Sequence, residues 1–182
     1  MKTSFYTENE LAELGLKSYG KKVLISRYTQ IYSPEKISIG NNVRIDDFCI
    51  LSGNITLGSH IHIAAYCALY GGEYGIEMKD YTGLSARATI YSAIDDFSGN
   101  YLIGPIHDSQ FTNVIGGKVV LNKFSQIGVG AIIFPGVEVG EGAVLGAMSL
   151  TKNDLADWTI SAGIPAKCIK ERNNMLLKYI FE

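Results

Sequence analysis

Two neighbouring carboxylates, Asp95 and Asp96, and a histidine, His107, share one stretch of chain, residues 92–118. A histidine titrates near working pH and can take up a proton during catalysis. An ordinary aspartate titrates at about 3.9, and raising it costs about 1.36 kcal/mol per unit. Two adjacent aspartates could share that cost through like-charge repulsion, although sequence neighbours often point apart. Anchoring is the less costly role: Asp95 can hold and orient an ammonium and receive its proton late. Asp96 precedes Ser98-Gly99-Asn100 and also reads as ordinary turn chemistry. The stretch holds Gly99, Gly104, Pro105, Gly116 and Gly117 and has no regular pattern. A loop of this length inside a compact fold is uncommon and usually functional.

What must position this stretch is a repeat. Ile39, Ile45, Leu51, Leu57, Ile63 and Leu69 recur every six residues, followed by Met78, Leu84 and Ile90 and then by Leu121, Ile127, Ile133, Val139 and Leu145. Four residues after most of them comes a second small or apolar residue, as at Cys49, Cys67, Ala88, Ala131 and Ser149. Neither an α-helix nor a hairpin has this period. A short strand that turns a corner every six residues does, and three such edges make one triangular coil. The beat supports about five coils, a column on the order of 25 Å tall at one strand spacing per coil. Cys49 and Cys67 lie 18 residues apart and should stack inside the prism.

The beat is interrupted twice, by a small bulge within Tyr70–Gly75 and by the excursion loop 92–118. Thr7 and Glu10 have capping-box spacing ahead of Leu11 and Leu14, which predicts a short helix covering the first coil. The organisation expected is an N-terminal helical cap over 1–22, a β-helix over 23–165, and a C-terminal tail and short helix over 166–182. The class is all-β.

Composition removes other classes. Across 182 residues the net charge is −2, with no basic block or aromatic-basic patch, so a nucleic-acid or anionic-membrane role has little support. The first residues lack an apolar signal core and no apolar run approaches a membrane span, which makes the cytoplasm the expected location.

The six-residue beat, the Ile127–Val137 stretch Ile-Gly-x-Gly-Ala-x-Ile-x-Pro-Gly-Val, and Ala162-Gly163-Ile164-Pro165-Ala166-Lys167 resemble the hexapeptide-repeat acyltransferases. The likeness covers roughly residues 25–172, with sugar and polysaccharide O- and N-acetyltransferases as the nearest branch. It implies a left-handed parallel β-helix, a homotrimer, acetyl-CoA as co-substrate, and no metal. It also implies direct attack of a sugar or nucleotide-linked amino sugar on the thioester, in surface polysaccharide synthesis (O-antigen or capsule).

By the same resemblance Val129 and Ala147 would line the pantetheine groove, with Thr151 and Lys152 after them. Lys167 and Lys170 would meet the nucleotide phosphates. Tyr66 and Arg87 face outward as candidate acceptor contacts. The sequence departs from the family where its catalytic histidine falls, on Asp95, and at Tyr66, where related enzymes often carry asparagine. Asp95 and His107 therefore both stand as candidates for the base, with Asp96 beside them.

Two alternatives accompany this reading. Loss of the family histidine would suit a non-catalytic scaffold or an inactive homologue. A metal-dependent carbonic anhydrase on the same architecture would need three converging histidines. Here His60 and His62 straddle inward Ile61, and His107 lies apart from both.

Overall fold

The beat residues from Ile39 to Leu145 are all buried, as are the small residues that follow them, and short strands run through each. The structure, a computed structural model, describes residues 3–180. The strands wind into a prism with three parallel faces. The first face runs Gln30–Tyr32, the start of Ile50–Leu57, the start of Ala68–Met78, Thr89–Tyr91, Ile132–Ile133 and Leu150–Thr151. The second takes Ser18–Tyr19, Ile37–Ile39, the ends of the two long strands, Val119–Leu121 and Glu138–Val139. The third takes Leu24–Ile25, Val43–Ile45, Ile61–Ile63, Gly83–Leu84, Gln126–Ile127, Val144–Leu145 and Thr159–Gly163.

Register follows the beat. Leu51 pairs with Leu69, Ile45 with Ile63 and Ile127 with Leu145, each pair 18 residues apart. Where the chain detours, pairing resumes in phase: Ile63 meets Leu84, and Ile90 meets Ile133 across the whole excursion. The bulge within Tyr70–Gly75 remains part of one long strand, Ala68–Met78, with register shifts opposite Gly53.

Corners repeat as faithfully as strands. One edge places Phe48, Tyr66, Arg87, Gly130 and Met148 in the left-handed region, φ 55 to 66°. Another does so with Asn42, His60, Tyr81, Phe124, Gly142 and Trp158, φ 51 to 63°. Side chains rarely adopt this conformation, and each instance carries a local cost. Main-chain hydrogen bonds between coils oppose it: Tyr66 N donates to Asp47 O at 3.1 Å, and Tyr81 N to Ser59 O at 2.9 Å. Cys49 and Cys67 sit inside the column, their thiols donating to Ala64 O at 3.2 Å and Ser85 O at 3.1 Å. Both side chains are fully buried, and contact with the Cys49 thiol, together with burial, pushes the Cys67 thiol far up; the two pack the core.

Both ends are covered. The helix Glu8–Glu13 closes the first coil with buried Leu11. After Thr159–Gly163 the chain doubles back as Ala166–Glu171, antiparallel to it, before a 3₁₀ turn at Met175–Tyr179. The segment after residue 165 therefore begins as a strand, because the last coil's open edge on the third face needs a hydrogen-bonding partner.

The N-terminal cap gives a pH prediction. Thr7 N donates to Glu10 Oε2 at 2.7 Å, Glu10 N donates to Thr7 Oγ1 at 3.4 Å, and Arg27 pairs with the same carboxylate at 2.5 Å. The hydrogen bonds from Thr7, then Arg27, bring the Glu10 carboxyl from 4.5 down to about 2. A lowered folded-state pKa is stability present above the unfolded value and lost as pH falls through the folded one. Glu10→Gln should therefore have a lower thermal midpoint than the wild type at neutral pH. The two midpoints should converge as pH falls from 4.5 to about 2.

Candidate active site

The excursion is an arm built on a two-stranded antiparallel ribbon. It leaves the first face after Thr89–Tyr91, pairs Ala93–Asp95 with Val114–Gly116, and re-enters the second face at Val119–Leu121. Its root is pinned on both strands. Buried Ser92 donates to Gly71 O at 2.6 Å, and Gly117 N donates to Ser92 O at 2.9 Å. Gly116 is packed on the ring of Tyr74, where a Cβ would lie 2.0 Å from a ring carbon, so a larger residue would have to displace that ring.

Between arm and prism lies a cleft of about 710 Å³, lined by Tyr91, Ile94, Asp95, Asp96, Phe134 and Lys152 among others. The two aspartates have separate fates. Asp96 is committed to the arm, its Oδ1 accepting from Ser98 N at 2.7 Å and its Oδ2 from Asn113 Nδ2 at 2.9 Å. Those bonds, Asn113 first, hold its carboxyl below the ordinary range, which is the wrong direction for a base at neutral pH. Asp95 is half-buried, and its one hydrogen bond among the described residues is accepted from Gly104 N at 3.4 Å. It keeps lone pairs for a cationic ligand. Lys152 stands on the prism side with its ammonium 5.0 Å from the centre of the Phe134 ring.

His107 lies further out on the arm, exposed, and makes no hydrogen bond to any described residue. Asp95, Asp96 and Lys152 thus come together, and His107 does not join them. Lys152 falls on this edge and not beside Val129 and Ala147. Thr151 differs from its expected role: it is buried, and its hydroxyl is closed onto Asn153 O at 2.6 Å, so it offers no side chain to a ligand. The sequence reading missed Phe134 as a cleft wall. Its signal was available, since Phe134 and Lys152 lie one coil apart at the same corner.

The remaining candidates occupy the opposite edge of the first face. Arg87 N donates to Ala65 O at 3.1 Å and Met148 N to Val129 O at 2.8 Å, which stacks Tyr66, Arg87, Val129 and Ala147 in successive coils. Stacking is closest at Gly128, where a Cβ would lie 2.5 Å from Ala147 N. Lys167 and Lys170, both exposed, lie on the returning strand at the end of the same column. The third edge is closed by a ladder, with His60 on Tyr81 at 4.6 Å, Tyr81 on Phe124 at 5.2 Å and Phe124 on Trp158 at 6.2 Å. Arg172 seals it by donating to Phe124 O at 2.9 Å and Gly142 O at 2.8 Å. Among the described residues no three His, Cys, Asp or Glu side chains converge on a metal position, and His60, His62 and His107 belong to three different surfaces.

Three-sided coils in 18-residue register build a parallel β-helix, which matches the left-handed fold of the hexapeptide-repeat acyltransferase class. No family model matches the sequence. The chain is 43% identical over 178 residues to a dTDP-4-amino-4,6-dideoxy-D-glucose acyltransferase of Escherichia coli, covering 96% of this chain and 92% of that one. It is 54% identical to AntD, an N-acyltransferase from Bacillus cereus solved with dTDP and 3-hydroxybutyryl-CoA. That match has TM-score 0.97 and spans 99% of this chain and 96% of the other. An AntD variant solved with dTDP-4-amino-4,6-dideoxyglucose and coenzyme A aligns equally well, TM-score 0.97, over 100% and 97% of the two chains. The chain belongs to the dTDP-amino-sugar acyltransferases, and it is an enzyme that uses an acyl-CoA.

Proposed function

We propose that this enzyme transfers an acyl group from acyl-CoA to the amino group of a dTDP-linked 4-amino-4,6-dideoxyhexose. The observation that carries the reading is Asp95: a half-buried carboxylate with unused lone pairs in a cleft large enough for a sugar nucleotide. It receives the acceptor's ammonium and fixes the nitrogen's approach to the thioester, a gain in orientation that general principles value highly. The ammonium gives up one proton, the freed nitrogen lone pair attacks the carbonyl carbon, main-chain N–H groups at the coil corners face the developing oxyanion, and the C–S bond breaks as the second nitrogen proton passes to the departing thiolate. Lys152 suits the nucleotide's phosphates in the cleft. Val129 and Ala147 accommodate the pantetheine arm, Lys167 and Lys170 the coenzyme's phosphates, and Tyr66 and Arg87 the sugar.

Within one protomer these groups lie too far apart. Asp95 and the Val129–Ala147 edge flank the first face, roughly 15 Å apart by strand length. A homotrimer resolves this by laying the arm edge of one copy against the donor edge of the next. Exposed Phe97, Ile103, Ile106 and Phe111 on the arm, and the half-exposed stack Tyr28–Phe48–Tyr66 on the other edge, give each copy two apolar surfaces to cover. No helix among the described residues is long and apolar enough to cross a membrane. Acyl-CoA and a sugar nucleotide as substrates favour the cytoplasm, and an acylated sugar nucleotide is the activated form that polysaccharide assembly consumes.

Thiol release tests the proposal. With acetyl-CoA or 3-hydroxybutyryl-CoA, the dTDP-linked 4-amino sugar should release thiol, and the same nucleotide bearing a 4-hydroxyl should not. Equal rates with both would move the enzyme to O-transfer. Release with neither would support a non-catalytic homologue.

A further inference from the structure

His62 lies outside the cleft, and among the described residues it is the one histidine with a carboxylate partner. Its Nε2 lies 2.8 Å from Asp46 Oδ2, and Asp46 Oδ1 is held in turn by Arg44 Nε at 2.7 Å. Burial opposes ionisation of Asp46, but the hydrogen bonds from His62 and Arg44 outweigh it and hold the carboxyl below its ordinary range. An anionic carboxylate on Nε2 fixes that nitrogen as the donor and leaves Nδ1 with a free lone pair, the arrangement that orients a general base.

The ring borders a groove of about 270 Å³ on the third face, lined by His62, Ala64, Gly83, Ser85, Ala86 and Gln126. Gly83 pairs with His62 and leaves the floor bare, while Gln126 lies over it and donates to Tyr81 O at 3.1 Å. The strand Gly83–Leu84 and the corner Ser85–Ala86 bring no charge to the ring. Its charged surroundings are Asp46 and Arg44, and Arg87 follows the lining residue Ala86 in the chain. Its lining residues Ala64, Ser85 and Ala86 lead into the corners of Tyr66 and Arg87, where the proposed function places the neighbouring copy's sugar. The Asp95 cleft holds no group poised to take a proton, because Asp96 is tied within the arm and His107 stands outside it.

We propose that His62, oriented by Asp46, is the general base for the acceptor amine; this rests on the proposed function. Nδ1 takes one proton from the ammonium bound by Asp95 of the adjoining copy. The freed lone pair forms the C–N bond, the C–S bond breaks, and the second nitrogen proton passes to the departing thiolate. The imidazolium returns its proton to solvent, so the sum is amide, free thiol and one proton.

The test is the pH dependence of thiol release in the trimeric enzyme carrying His62→Gln or Asp46→Asn, with dTDP-4-amino-4,6-dideoxyglucose as acceptor. At neutral pH His62→Gln should lose about 10²-fold in kcat, with the KM for acyl-CoA little changed. That deficit should shrink as pH rises and the amine sheds its own proton. Added imidazole should restore part of the rate to His62→Ala. Asp46→Asn should fall in the same direction by a smaller factor. A wild-type rate in His62→Gln, or a deficit that stays constant with pH, would overturn the inference and leave the proposed function standing. A wild type that releases no thiol with any amino-sugar nucleotide would overturn both.

Discussion

Asp95→Asn should lower kcat/KM for the amino-sugar nucleotide by about 10²-fold, the largest loss expected of any single polar substitution in the cleft. The amide is isosteric and keeps the bond from Gly104 N, so the arm should stay in place. What it loses is the charge that holds an ammonium and the capacity to accept from it twice. His107→Ala should cost far less, since His107 is exposed and has no acid, base or hydrogen-bond partner among the described residues to orient it. Asp96→Asn should act mainly on the arm, because both its oxygens serve Ser98 and Asn113. Steady-state thiol release on the three variants gives the order. If His107→Ala were the most damaged, the ammonium-binding role assigned to Asp95 would pass to His107.

The second large effect concerns sharing of the site. Ala147→Trp should fill the edge proposed to take the pantetheine arm and abolish turnover, since the backbone at Ala147 lies against Gly128 and leaves the indole only the outer groove. Alone, Asp95→Asn and Ala147→Trp should each be nearly inactive. Subunits of the two variants, unfolded and refolded together in equal amounts, should recover about a quarter of wild-type activity, because one site in four then joins an intact Asp95 to an intact neighbouring edge. A site contained in one copy would give no recovery at any mixing ratio. The gain from nearly nothing to a quarter makes the result easy to read.

The prism was legible because its physics is local. Each hexad buries one residue at each end of a short strand, so Ile90 and Ile133 announce the same face although 42 residues separate them. The helix cap was equally plain, since the capping box needs only Thr7 and Glu10. What periodicity does not encode is which corner a functional side chain occupies. Lys152 and Ala147 are close in sequence, yet a single face separates them in space. Thr151 looked available as a ligand contact but takes an inward position on the beat.

The arm was visible as an interruption, but its ribbon was not. Ala93–Asp95 and Val114–Gly116 are short, and the ribbon packs through Gly116 on Tyr74, a contact with the previous coil. The His62–Asp46 pair was hidden for a related reason. Asp46 stands at a corner and His62 on the next coil's strand, so neither residue signals the other until the coils are stacked.

The most direct test of the account is the structure of the reaction product. Enzyme, an acyl-CoA and dTDP-4-amino-4,6-dideoxyglucose should yield one new sugar nucleotide, whose NMR spectrum correlates the acyl carbonyl with the proton on C4 through an amide nitrogen. An acyl group found on a ring hydroxyl, or an amino sugar recovered unchanged while the thioester is consumed, would contradict it.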